Sequence, residues 1–154
     1  MILAIDPSII KTGWAVFTED GEYVASGVIK TKRSSKLSDG ENLNIRMKVL
    51  HDGVYNIIKE YDITEAVIEE QFLRVNVKAM KTLVAARAAL VMCCLNNNAT
   101  VAYVAPSEWQ CAIFKGRVKD TKKSSLECAS ALKKGITDDE ADAINIGKWF
   151  LSTK

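Results

Sequence analysis

The chain has a single histidine, His51, in 154 residues. Its four cysteines, Cys93, Cys94, Cys111 and Cys128, contain no C-x-x-C pair, and the two adjacent ones cannot easily face one tetrahedral ion. Zinc held by thiolates and imidazoles is therefore not expected, nor is a nucleophilic triad built around histidine. His51 falls in a helical pattern and reads as a surface or core-edge residue. No apolar run approaches the roughly 20 residues that span a bilayer. The opening Met1-Ile2-Leu3-Ala4-Ile5-Asp6 meets an acid too early for a secretory signal, so a cytoplasmic protein is expected. Internal repeats, linkers and low-complexity segments are absent as well. Net charge is small, +2 from 21 basic and 19 acidic side chains.

What is there is globular composition, 48% hydrophobic and 26% charged. A chain of this length buries roughly two-thirds of its unfolded surface, enough for one core, and 1–154 is read as one domain.

Ile2-Leu3-Ala4-Ile5, closed by Asp6-Pro7-Ser8, has the pattern of a strand buried on both faces, with a carboxylate at its carboxyl end. The runs Gly13 to Thr18 and Glu22 to Ile29 flank Asp20-Gly21, a hairpin signal because glycine accepts the positive φ of a tight turn. Lys30 to Lys36 is polar, basic and aperiodic, and reads as a mobile loop. From Glu41 to about Glu60, Leu43, Met47, Leu50, Val54 and Ile57 recur at spacings of four and three, on one helix face. Ala66-Val67-Ile68 is a strand that again ends in acid, Glu69-Glu70. Val75 to Leu95 predicts a long helix with Val77, Met80, Val84, Ala88 and Val91 as its stripe. Thr100 to Val104 is a further strand, and Ser107 is expected to cap a short helix through Trp109. Two helices follow, from about Ser124 to Lys134 and from Asp138 to Leu151. The order β-β-β-α-β-α-β-α-α predicts an α/β fold: a mixed five-stranded sheet, three antiparallel strands then parallel crossovers, with helices on both faces.

Three separated segments thus present acids at element ends. In open α/β sheets, ligands bind at the carboxyl ends of strands, where Asp6 and one of Glu69 and Glu70 can meet. Asp139 and Asp142, three apart, share the helix face that continues through Ile146 and Trp149, and small Ala141 and Ala143 allow close approach. Asp138 and Glu140 are expected to look outward or serve the cap. A plainer account makes Thr137-x-x-Glu140 a capping box and the first-turn acids partners of the helix dipole, but it leaves Asp142 unexplained. Asp6 could likewise form only an Asx turn. Four carboxylates in one place would repel and raise their pKa values unless cations neutralised them. Two Mg²⁺ ions some ~4 Å apart would offset them and clamp the attacking and leaving oxygens of a phosphodiester. Oxygen-only ligands favour Mg²⁺ or Mn²⁺ over Zn²⁺.

Ile2-Leu3-Ala4-Ile5-Asp6-Pro7-Ser8 with Thr12-Gly13-Trp14 resembles the opening of the RuvC-type Holliday junction resolvases. Ile68-Glu69-Glu70-Gln71-Phe72 resembles that family's second motif, and Asp139-Glu140-Ala141-Asp142-Ala143 its last. The resemblance implies an RNase H-like fold, a homodimer, and metal-dependent cutting of branched DNA, four-way junctions and also forks. It maps catalytic, metal-holding acids to Asp6, Glu69, Asp139 and Asp142, and prefers Glu69 to Glu70 because Phe72 then falls three residues later. Alternation alone leaves the two glutamates open. It also implies stacking on DNA by Phe72, where an ordinary core phenylalanine is the alternative, and a dimer-forming helix after it, rich in Ala85, Ala86 and Ala89. Lys123-Ser124 resembles the family's Lys-Ser step, which makes Lys123 a phosphate-contacting or catalytic lysine. The family's Gly-rich turn is reduced here to Lys115-Gly116. The short chain looks more like phage-encoded members, which would place it in a host cytoplasm, and it says nothing of a branch-migration motor.

DNA binding has support from charge. Lys115, Arg117, Lys119, Lys122, Lys123, Lys133 and Lys134 crowd one segment, against Asp120 and Glu127. With Lys32 and Arg33 in the first loop this makes two basic clusters under a near-neutral total. A solvated lysine face is the alternative. A noncatalytic branched-DNA-binding protein of the same fold is the rival to the nuclease.

Overall fold

Every residue from Ile2 to Ile5 is fully buried, so the first strand must be covered on both sides. The computed structural model describes residues 1–70 and 76–154. Phe72, expected to stack on DNA, lies outside the described residues, as does the start of the second helix expected at Val75.

Strands β1 (Ile2–Asp6), β2 (Lys11–Phe17) and β3 (Tyr23–Lys30) form an antiparallel meander. Helix α1 (Asp39–Tyr61) crosses to β4 (Glu65–Glu69), parallel to β1, and α2 (Val77–Asn96) crosses to β5 (Thr100–Val104), parallel to β4. The sheet order is β3-β2-β1-β4-β5. Helices α3 (Pro106–Ile113), α4 (Thr121–Ala129) and α5 (Asp138–Ser152) complete the chain.

Strand alternation divides the core in two. Leu3, Ile5, Val16, Ala66 and Ile68 meet Leu50, Val54 and Ile57 of α1 and Leu90, Cys93 and Cys94 of α2. Burial pushes the Cys93 thiol up to about 11 and Cys94 to about 12, which leaves both as inert packing groups. On the opposite face, Ile2, Ala4 and Val67 pack against Trp109 of α3 and Ile146 and Phe150 of α5. Asp6 follows Ile2 and Ala4 in parity, and Glu69 follows Val67. Both acids therefore belong to the α5 side, and Glu70, of opposite parity, is exposed.

What seats α5 is the absence of side chains beneath it. A Cβ at Gly13 would lie 1.9 Å from the backbone oxygen of Asp139, and one at Gly147 would lie 2.2 Å from the Phe17 ring. Ala141 and Ala143 are fully buried in the same contact.

Four local expectations change. Lys30 to Lys36 is tied down rather than loose: the buried Asn42 side chain accepts from Ser34 N–H at 2.8 Å and donates to the carbonyls of Ser34, Leu37 and Ser38, each at 3.0 Å. Most of the expected stripe of α2 lies outward, although Val91 packs against the core. Val77 is 66% and Val84 44% exposed, while Ala86, Leu90, Cys93 and Cys94 make the core contact from the opposite face. Helix α3 begins at Pro106, with Glu108 accepting from Ala105 N–H at 3.0 Å, so Ser107 is not its cap. Helix α4 starts three residues early because the Asp120 side chain accepts from Lys123 N–H at 3.0 Å, and it ends at Ala129.

Glu140 also departs from expectation. Its N–H donates to Thr137 Oγ1 at 3.3 Å, half of a capping box, but its carboxylate turns inward. There it accepts from Ser26 Oγ at 2.6 Å and Lys133 Nζ at 2.8 Å. A helix buried on most of its circumference leaves Glu140 little outward face, and Lys133 supplies the counter-charge that burial demands. Among the described residues no helix is long and apolar enough to cross a membrane.

Candidate active site

Asp6 ends β1 directly opposite Gly13 on β2, and the register of β1 with β4 places Ile5 beside Ile68, one residue before Glu69. The turn after Asp6 is closed by buried Thr12, whose hydroxyl donates to the Ser8 carbonyl at 2.6 Å and accepts from Ser8 N–H at 3.2 Å. Asp6 and Glu69 share a side-chain hydrogen bond. Glu69 is gripped from below as well: the Trp109 indole N–H donates to its Oε1 at 2.7 Å.

Asp142 stands on α5 one turn from Asp139 and accepts a hydrogen bond from Ser125 Oγ on α4. The Asn145 amide donates to both the carbonyl and the hydroxyl of Ser125 at 2.9 Å, so a buried relay runs from α5 through α4 and back. The sheet ends and α5 thus bring together Asp6, Glu69, Asp139 and Asp142.

Burial, then the charges of Glu69, Asp142 and Asp139, hold the Asp6 carboxyl well above the ordinary range. Burial raises Asp142 to about 6, although its bond from Ser125 pulls the other way. Asp139 is raised too, by burial and by Asp138, and is relieved in part by Lys11. Each shift says that the ionised site wants positive charge. Among the described residues no group of three or more acid, histidine or cysteine side chains is arranged so that it could hold a metal ion. The donor set, all carboxylate oxygen and like-charged, nevertheless fits a hard divalent cation and no soft one.

Cations surround these acids unevenly. Lys122 Nζ sits 2.6 Å from Asp138 Oδ2, and its charge reaches Asp139 and Asp142. Lys123 is not brought to the acids: its Nζ lies 3.9 Å from Glu127 on the outer face of α4. Adjacent helical residues point about 100° apart, so only one of the two lysines can face α5. Lys115, Arg117 and Lys119 are exposed between α3 and α4, where Arg117, Phe114 and Gln110 help line a hollow of about 400 Å³. Lys32 and Arg33 are exposed beside α1, Arg33 2.5 Å from Asp39, which also holds Lys78 at 2.8 Å.

A family model described as crossover junction endodeoxyribonuclease RuvC matches residues 2–147. The chain belongs to the RuvC family. The RuvC of Variovorax paradoxus is 40% identical over 155 residues, covering 94% of this chain and 80% of that protein. The RuvC of Methylobacillus flagellatus is 33% identical over 148 residues, covering 93% and 82%. Two solved structures share the fold. Thermus thermophilus RuvC in complex with Holliday junction substrate superposes with a TM-score of 0.76 at 16% identity, covering 96% of this chain and 90% of that one. Fowlpox virus resolvase with substrate Holliday junction DNA gives 0.59 at 16% identity, covering both chains fully. The five-stranded mixed sheet with helices on both faces is thus the RuvC, RNase H-like architecture.

Sequence reasoning passed over several residues that touch these acids or bear on their placement. Trp109, Ser125 and Asn145 carry no periodic or motif signal, since each acts across elements far apart in sequence. Lys11 opens a strand and reads as an ordinary edge lysine. Gly13 was visible inside the Thr-Gly-aromatic motif, but its partner, the Asp139 carbonyl, was not.

Proposed function

We propose that this chain is a divalent-metal-dependent endonuclease that cleaves branched DNA, four-way junctions and also forks, by hydrolysing phosphodiester bonds. The observation that carries the reading is the convergence of Asp6, Glu69, Asp139 and Asp142 at the carboxyl ends of β1 and β4, with Asp6 and Asp142 both raised in pKa. Asp6, Glu69, Asp139 and Asp142 would hold two divalent ions, Mg²⁺ with Mn²⁺ as substitute, with Asp6 shared between them and the other three acids completing the set. Cations bound there supply Lewis-acid activation of water and charge neutralisation at the phosphate, yielding a 5′-phosphate and a 3′-hydroxyl. Lys122, facing the acids, is better placed than Lys123 to leave Asp138 and meet the phosphate. Lys115, Arg117, Lys119 and Lys123 line the path of a strand leading away, with Lys32 and Arg33 a second contact and Phe72 a stacking residue near the branch.

The test is cleavage of an end-labelled four-way junction, a fork and a linear duplex in Mg²⁺, Mn²⁺ or EDTA. Wild type is expected to cut only branched substrates and only with metal. Glu69→Gln is expected to lose cutting by about 10³-fold or more while keeping its fold and its junction binding. Junction binding without any metal-dependent product would instead support the noncatalytic reading.

The partner that completes the enzyme is a second copy of the chain. The outer face of α2 exposes Val77, Val84, Met92 and Leu95 at 44 to 66%, on a helix already using its other face for the core. A two-fold pairing there sets two identical sites against two strands of a junction. The double variant Val84→Asp, Leu95→Asp is expected to sediment as a 17.0 kDa monomer where wild type runs as twice that mass. A wild type that is itself monomeric at micromolar concentration would remove the pairing.

A further inference from the structure

We infer that Trp109 is a positioning residue for Glu69, an inference that rests on the metal-nuclease reading above. Trp109 is 1% exposed, wedged among Ile2, Ala4, Val67, Val104, Ile146 and Phe150. Its ring meets Phe114 edge-on, with centroids 5.5 Å apart at 72°. An indole so enclosed has one orientation, and its N–H is a donor with no accepting capacity. That donor is aimed at Glu69 Oε1 at 2.7 Å.

A buried indole N–H needs a partner, and a backbone carbonyl would serve stability equally well. Here the partner is a carboxylate of the acid cluster, at the end of β4 and also hydrogen-bonded to Asp6. The hydrogen bond therefore does for Glu69 what a fixed donor does for any metal-bound carboxylate: it holds one oxygen and so fixes the direction of the other. The same ring closes off the cluster from below. Ser125, held by Asn145, makes the equivalent bond to Asp142. Two acids from two segments are thus each locked from the protein side before any cation arrives.

Helix α3 gives this lock a fixed base. Pro106 and the Glu108 carboxylate set its first turn against Ala105, four residues ahead of the indole. The helix ends at its C-cap Phe114, directly before the basic segment at Lys115 and Arg117, so the Glu69 donor and the proposed DNA-facing charge adjoin in sequence.

The experiment compares wild type with Trp109→Phe, which keeps an aromatic core and removes the donor. Mn²⁺ binding is read by electron paramagnetic resonance of the free ion, thermal unfolding by circular dichroism in EDTA, and junction cleavage as a function of Mg²⁺ concentration. The expected result is a 10- to 100-fold weaker Mn²⁺ affinity. Cleavage should recover in part at high Mg²⁺, and the melting point should fall by no more than a few degrees. In case the variant does not fold, the ¹⁵N indole resonances of Trp14, Trp109 and Trp149 are followed in wild type and in Glu69→Gln. One resonance should move both with Mg²⁺ and with the substitution.

Equal Mn²⁺ affinity in a folded Trp109→Phe, or indole resonances indifferent to Mg²⁺ and to Glu69→Gln, would overturn the inference and leave the nuclease reading intact. A wild type that binds no Mn²⁺ and cuts nothing would overturn that reading, and the inference with it.

Discussion

Asp6→Asn is expected to abolish cleavage and at the same time to make the metal-free protein more stable. The first effect follows from its place: it is the acid that feels Glu69, Asp142 and Asp139, so its loss would remove the ligand proposed to be shared by two ions, and a drop of at least ~10³-fold is expected. The second follows from electrostatics. Asp6 is held well above its ordinary pKa, first by burial and then by its acidic neighbours. Folding that ionised carboxylate therefore costs free energy, and an amide of nearly the same shape removes the cost. For a chain of this size each 1 kcal/mol relieved is worth about 2–4 °C of melting temperature.

The pH dependence has a definite sign. An acid whose pKa is raised on folding binds more protons in the folded state, so acidification through that interval stabilises. For Asp142 the interval runs from the ordinary value of 3.8 to about 6. Wild type in EDTA is accordingly expected to melt higher at pH 5 than at pH 7, with a smaller gap in Asp6→Asn. Adding Mg²⁺ at pH 7 should do for wild type what protons do at pH 5, because both relieve the same repulsion. A melting point for Asp6→Asn below that of wild type, in EDTA at pH 7, would show that the carboxylate is a net structural asset and would defeat the argument.

The same electrostatics explains why the acids were legible in the sequence and their supports were not. Apolar runs that stop at Asp6 and Glu69 announce strands with carboxylates at their ends, and Asp139 and Asp142 sit three apart on a helix whose plain roles use up only the other acids. Glu69 against Glu70 was open because β4 is apolar on both faces, so alternation had no polar side to point to. Only the division of the core tells their directions apart, with Val67 on the α5 side and Ile68 on the other. Helix α2 misled for a related reason. Both of its faces are apolar, and periodicity finds a stripe without saying whether the core or the outside takes it. Asn42 carries no motif signal, yet its side chain anchors Ser34, eight residues earlier, within the basic loop. Lys122 and Lys123 differ by one position in sequence and by a whole face in the helix, and a motif match at one cannot weigh that difference.

Gly13→Ala is the smallest change expected to disable the site without touching an acid. The added methyl would lie 1.9 Å from the Asp139 carbonyl oxygen, 2.5 Å from its carbon and 3.2 Å from the Glu140 nitrogen. All three are backbone atoms of the first turn of α5, so no side chain can swing away, and the turn itself must retreat from β2. Overpacking ordinarily costs about 1–3 kcal/mol, and an obstacle made of backbone puts this case at the upper end. Asp139 rides on the displaced turn, and Asp142 follows one turn later, while Asp6 and Glu69 stay with the sheet. The two halves of the acid cluster would then part, and a shift of about 1 Å between groups that must act together is enough for a loss on the order of 10²-fold. The expected pattern is a melting point lowered by several degrees, junction binding retained, Mn²⁺ affinity weakened and cleavage nearly lost. Wild-type stability and cleavage in Gly13→Ala would mean that α5 does not rest on β2 in solution, and the geometry proposed for Asp139 and Asp142 would fall with it.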